Sequence, residues 1–162
     1  MKKIYLLRHA KAEKEAKSDF KRDLNLKGKE DIKKLCLKLK TYNIAFDLII
    51  SSPATRASKT AKKVAEFLSY AEDKIHFEQS IYEANASELF SYVKGLDDEL
   101  SSILLVGHNP SLCELAELLS DICINSFPTS SMLALEFDVT SFKDIKEHSG
   151  KILFFECVKN IN

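Results

Sequence analysis

Residues that break or staple a fold are scarce in this chain. Four glycines and three prolines among 162 residues exclude collagen-like and low-complexity architectures. The four cysteines (Cys36, Cys113, Cys123, Cys157) form no CxxC pair and no metal-like cluster with histidine. Cys36 and Cys157 sit in apolar patterns, which predicts reduced core thiols and a reducing compartment. No apolar run approaches the roughly 18 residues of a membrane span. The N-terminal run from Ile4 to Leu7 is too short for a signal-peptide core and stops at Arg8-His9. The expectation is a cytoplasmic protein with no membrane partner.

Net charge is absent too. Twenty-four basic residues balance 24 acidic ones, so no global field draws the chain to nucleic acid. The charge is nevertheless uneven: residues 1–40 hold 14 Lys or Arg against six Asp or Glu, a formal +8. A solvated lysine-rich surface is the bland reading of that excess. A steering surface for an acidic partner is the other, and it matters only beside an active site.

What is present is globular: 45% hydrophobic and 30% charged residues, in a length that buries a full core without staples. Repeats and linker-like stretches are absent, so one domain over 1–162 is expected. Short apolar runs alternate with segments of helical period, the pattern of an α/β fold with a mostly parallel sheet. Strands are predicted at Lys3–Leu7, Phe46–Ile50, Ile75–Glu78, Ile103–Val106, Met132–Phe137 and Ile152–Val158, the last antiparallel at an edge. Helices are predicted after Asn25 as N-cap, after Ser52 as N-cap with Pro53 as first helical residue, near Ser87–Lys94, and at Pro110.

Three of these strands deliver a cation-capable side chain just past their ends. The first ends in Arg8-His9; the second leads into a helix whose first turn carries Arg56; the fourth ends at His108. Ligands of parallel α/β sheets sit outside the carboxyl ends of the strands, and helix N-termini there favour anions. Arginine adds bidentate donors that match phosphate oxygens. The deduced ligand is a phosphoryl group. His76 and His148 have no such context and read as ordinary histidines.

Further absences narrow the chemistry. There is no GxxxxGK[ST] cradle, no cysteine six positions before an arginine, and no GxSxG elbow. Metal-assisted hydrolysis needs a cluster of Asp, Glu and His, whereas these strand ends supply mainly cations. If phosphoryl transfer occurs, histidine is the most economical nucleophile.

Leu7-Arg8-His9-Ala10, Ser51-Ser52-Pro53 through Arg56-Ala57 and Thr60-Ala61, and Val106-Gly107-His108-Asn109-Pro110 together resemble the histidine phosphatase superfamily, also called phosphoglycerate mutase-like. Leu24-Asn25-Leu26-Lys27-Gly28 is similar to the family's L-[ST]-x-x-G helix start, and Pro128-Thr129 precedes the late strand as expected. The short chain and Ile81-Tyr82-Glu83-Ala84 are most similar to the SixA-type branch, the protein phosphohistidine phosphatases. Lys59 departs from the family, whose usual residue there is Gln.

The resemblance implies a three-layer α/β/α domain and a phosphohistidine intermediate on His9. It implies that Arg8, Arg56 and His108 bind the phosphoryl oxygens, and that no metal or organic cofactor is used. The general acid of the larger relatives has no secure counterpart, and Glu83, in about the right region, is the candidate. An alkoxide leaves poorly without a proton donor, whereas a phosphorylated imidazole releases a weakly basic nitrogen. Protein phosphohistidine is therefore the expected substrate, with a small phosphoester as the alternative. A phosphate-binding module without turnover is a further alternative, against which His9 and His108 argue. Mutase activity is disfavoured because only about twenty residues separate Glu83 from the Ile103 strand, too few for an inserted lid. The protein is expected to act as a monomer, with Lys11, Lys14, Lys17, Lys21 and Arg22 docking an acidic phosphoprotein domain at the pocket rim.

Overall fold

A computed structural model describes residues 1–161. Six strands form one sheet: β1 (Lys2–Arg8), β2 (Leu48–Ser51), β3 (His76–Phe77), β4 (Ser102–Gly107), β5 (Ser131–Phe137) and β6 (Lys151–Cys157). Their spatial order is β3-β2-β4-β1-β5-β6. β3, β2, β4 and β1 run parallel, β5 is antiparallel to β1, and β6 is antiparallel to β5 at the edge. The last strand is antiparallel at the edge as expected, and β5 is antiparallel too, which the sequence pattern did not anticipate.

The helices are α1 (Leu26–Lys40), α2 (Thr55–Phe67), α3 (Ser80–Glu83), α4 (Ala86–Lys94) and α5 (Ser111–Leu119). Strand side chains alternate between two cores, as a period of two requires. Ile4, Leu6, Ile103 and Leu105 pack with Leu89, Val93, Leu112 and Leu115 of α4 and α5. Tyr5, Leu7, Leu104 and Val106 pack with Ile32, Leu35, Ala57 and Ala61 of α1 and α2. The result is the expected three-layer α/β/α arrangement.

Two helix starts differ from expectation. α2 begins at Thr55, after Ala54, and Ser52 does not cap it. The Ser52 hydroxyl instead accepts the Ala54 amide at 3.3 Å and meets His108 Nε2 at 2.7 Å. Likewise α5 begins at Ser111, with Pro110 one position ahead of the helix. Asn109 caps nothing there: its Oδ1 accepts from no protein group, and its Nδ2 donates to the Phe127 carbonyl at 2.9 Å. In both places a polar side chain makes a bond across the fold in place of the helix cap expected of it.

α1 starts as predicted. The Asn25 side chain accepts the Gly28 amide at 2.7 Å, a cap worth about 1 kcal/mol. Gly28 is required for a different reason: a Cβ there would overlap the Lys11 carbonyl oxygen, which also accepts the Asn25 amide at 3.1 Å. The motif thus seats α1 against the chain just beyond β1. Among the described residues no helix is long and apolar enough to cross a membrane.

Candidate active site

β1 and β4 are neighbours, but their following helices, α1 and α5, lie on opposite faces of the sheet. Such a switch point opens a crevice at the carboxyl ends of the strands. Register completes the placement. Arg8 pairs with Gly107 across the two strands, and the His9 amide donates to the Gly107 carbonyl at 3.1 Å. The next residue on each chain is a histidine, and the two rings stand with centroids 5.2 Å apart.

The first turn of α2 brings Arg56 to the same place through Thr60. The buried Thr60 hydroxyl accepts the Ala10 amide at 2.9 Å and donates to the Arg56 carbonyl at 2.7 Å. That bridge pins the end of β1 to α2. On the opposite side the Ser130 amide, in a left-handed turn at φ 54°, reaches the carbonyls of Arg8 and His9. The Phe127 carbonyl accepts from Arg8 Nη1 at 3.1 Å.

The resulting cleft, of about 450 Å³, is lined by Arg8, His9, Asp19, Arg22, Arg56, Tyr82, Glu83, His108 and Asn109. The structure thus brings together all five residues named from the sequence: Arg8, His9, Arg56, His108 and Glu83. Glu83 is exposed at the end of α3. His76 pairs with Glu78 and His148 with the Ser120 carbonyl, away from the cleft.

His9 and Arg56 are both buried; the ring of His9 is fixed by its own backbone. Its Nδ1 lies 2.7 Å from the Ala10 carbonyl oxygen, a pure acceptor, so Nδ1 carries the proton and Nε2 keeps its lone pair. Burial, followed by the nearby His108, Arg56 and Arg8, pulls the ring's pKa down to about 3 against the opposing pull of that carbonyl. His108 is lowered to about 4, again chiefly by burial and then by Arg56. His108 Nε2 lies 2.7 Å from Ser52 Oγ, which also accepts the Ala54 amide.

Three nitrogens around the cleft are buried without a protein partner: Arg8 Nε, Arg56 Nε and His108 Nδ1. A buried donor left unpaired costs about 1–3 kcal/mol. The oxygens of a phosphoryl group are the natural acceptors for such donors.

Sequence reasoning missed Asp19. Its carboxylate takes Arg56 Nη2 at 3.1 Å, Arg22 Nη1 at 3.0 Å and the Tyr82 hydroxyl at 2.7 Å, and its carbonyl takes Arg56 Nη1 at 2.8 Å. Tyr82 first, then Arg22 and Arg56, hold the carboxyl well below the usual range. Asp19 is thus a fixed anion that orients Arg56. The one signal for it was an acid three residues before Arg22 in a lysine-rich stretch. Of the basic residues expected at the rim, Arg22 lines the cleft, Lys14 lines a shallower depression beside it, and Lys11 lines an adjoining cleft. Lys17 and Lys21 are exposed on the same segment and line none of the three. Lys59 pairs with Asp23 at 2.7 Å on the surface, tying α2 to that segment.

Comparison with known proteins agrees with this geometry. Residues 4–89 match the model of the histidine phosphatase superfamily, branch 1. That span includes Arg8, His9, Arg56 and Glu83 but ends before His108, which the fold alone places. A chloroplastic Arabidopsis thaliana protein of uncharacterised function is 31% identical over 133 residues, 76% of this chain and 61% of that protein. The chain therefore spans about three-fifths of that relative. Among solved structures, the protein histidine phosphatase SixA complexed with tungstate superposes with a TM-score of 0.85 at 20% identity, covering 98% of each chain. The Agrobacterium tumefaciens SixA, to which phosphohistidine phosphatase activity is ascribed, gives 0.82 at 26% identity, over 96% of this chain and 97% of that one. The chain belongs to the histidine phosphatase superfamily, and its fold is that of the SixA-type members.

Proposed function

We propose that this chain hydrolyses phosphohistidine on a partner protein, without metal, through a covalent phosphohistidine on His9. One observation carries the reading: a buried imidazole, tied at Nδ1 to the Ala10 carbonyl, stands beside two arginines whose buried Nε groups have no protein partner. In the first step the Nε2 lone pair bonds to phosphorus as the bond to the substrate nitrogen breaks; the substrate ring carries a proton on its other nitrogen, so the returning electron pair leaves it as neutral imidazole. In the second, a water oxygen bonds to phosphorus and the phosphorus–Nε2 bond breaks. Inorganic phosphate leaves, the water's proton passes to phosphate or solvent, and neutral His9 is restored. Arg8, Arg56 and His108 donate to the oxygens as charge develops on them. The Nδ1–H bond to Ala10 strengthens while the phosphorylated ring is cationic.

The substrate assignment rests on the leaving group. Asp19 is ionised and fully engaged, so it offers no proton. Glu83 is the remaining carboxyl in the cleft, exposed at its edge. A phosphorylated imidazole needs no strong acid to leave, whereas an alkoxide does. Between Glu83 and β4 the chain forms only α4 and a short connection, which leaves the cleft open to a side chain carried on another protein. Glu83 in the lining favours the second reading, a small phosphomonoester for which it serves as acid. Dephosphorylation of a phosphohistidine-bearing phosphotransfer domain by wild type and His9→Ala separates the two. The expected result is turnover by wild type and loss of at least 1,000-fold in the variant, the scale of removing a nucleophile. Equal rates would overturn the reading.

A further inference from the structure

A second cleft, of about 480 Å³, shares Arg8, His9 and Arg22 with the first. Four stretches of chain converge on it. The segment after β1 brings Lys11, one face of α1 brings Lys27 and Lys34, the turn before β5 brings Thr129, and the C-terminal turn brings Lys159. Against these four lysines stands one carboxylate, Asp31, which is engaged by Lys27 at 3.3 Å. Among the described residues Lys11, Lys34 and Lys159 have no carboxylate within ion-pair distance. The reacting cleft, by contrast, sets Asp19 and Glu83 against its three arginines. Positive charge is thus denser beside the phosphoryl site than within it.

One phosphoryl group does not account for that surplus, since Arg8 and Arg56 already supply its directed donors. The added cations are exposed lysines, hydrated point charges without the rigid fork that selects a phosphate. Ala12, Pro128 and Val158 supply apolar wall between them. Mixed apolar and cationic lining of this kind suits a polypeptide carrying carboxylates.

We propose that the second cleft is a subsite for an acidic segment of the substrate, holding Asp or Glu side chains next to the phosphorylated histidine. The inference rests on the phosphohistidine-protein reading and names what the partner must carry. Three substrates test it: a phosphohistidine peptide with acidic flanks, the same peptide with amide flanks, and phosphoramidate, which has no second anion. Wild type should favour the acidic peptide by tenfold or more in kcat/KM, with the preference shrinking as salt rises to physiological strength. Lys34→Glu with Lys159→Glu should erase the preference while phosphoramidate turnover stays within twofold. Lys34→Gln with Lys159→Gln, a milder change, should give an intermediate preference.

Equal rates on the two peptides with wild type would overturn the subsite, as would a charge reversal that slows phosphoramidate equally. Failure of the underlying reading looks different: phosphoramidate would turn over while neither peptide did. Inhibition of phosphoramidate turnover would then decide the subsite. Pyrophosphate binding more tightly than phosphate in wild type, but not in the charge-reversed protein, would replace the acidic segment with a small bis-anion. Equal inhibition would remove the subsite altogether.

Discussion

In the proposed reaction, burial does for His9 what a neighbouring base does for other nucleophiles. With its pKa drawn down to about 3, the ring is neutral throughout the physiological range, and the Ala10 carbonyl decides which nitrogen is free. Arg8 and His9 were legible in the sequence because a cation-capable pair directly follows an apolar strand. The free nitrogen was not, since it depends on a carbonyl that only the backbone path brings to Nδ1. Asp19 was hidden for the same reason: its partners Arg56 and Tyr82 lie 37 and 63 residues away. In protein with labelled imidazoles, nitrogen shifts should show His9 neutral and protonated at Nδ1 down to about pH 5. A midpoint near 6.5 would contradict the account. The linkage has a definite sign: a histidine lowered on folding contributes stability above about 6.5, the unfolded value, and loses it as pH falls from there toward 3–4. The chain should accordingly weaken across that acid window.

The same contrast between local and distant information holds for the elements. Strands and α1 were readable because burial periodicity and the Asn25 cap act within a few residues. The starts of α2 and α5 were not, because Ser52 and Asn109 are drawn to His108 and Phe127 from other strands and loops. A helix-start rule weighs only neighbours in sequence, and here tertiary partners prevailed. Gly28 lies between the cases: the motif marked it, but its reason is the Lys11 carbonyl pressed against it. Gly28→Ala must push that carbonyl or α1 aside, at a cost of about 2–3 kcal/mol. Thermal unfolding should show a fall of roughly 5–10 °C. An unchanged midpoint would mean that α1 is not seated on this backbone.

Across the whole molecule, order of connection creates the site. Because α1 and α5 leave neighbouring strands toward opposite faces, two histidines and the first turn of α2 meet in one crevice. Alternating strand and helix patterns implied that crevice, and the family resemblance put roles on its residues. The basic excess of residues 1–40 has a place at that crevice, where Lys11 and Arg22 reach the clefts beside His9. Its division into an arginine cleft and a lysine cleft depends on the C-terminal turn and on α1, which no local pattern joins. The central claim, attack by Nε2 of His9, is tested most directly by rapid-quench trapping with a labelled phosphohistidine substrate. The account predicts one acid-labile phosphate per chain, on Nε2 of His9. Label on another residue, or on Nδ1, or turnover with no labelled enzyme under conditions that trap the intermediate, would contradict it.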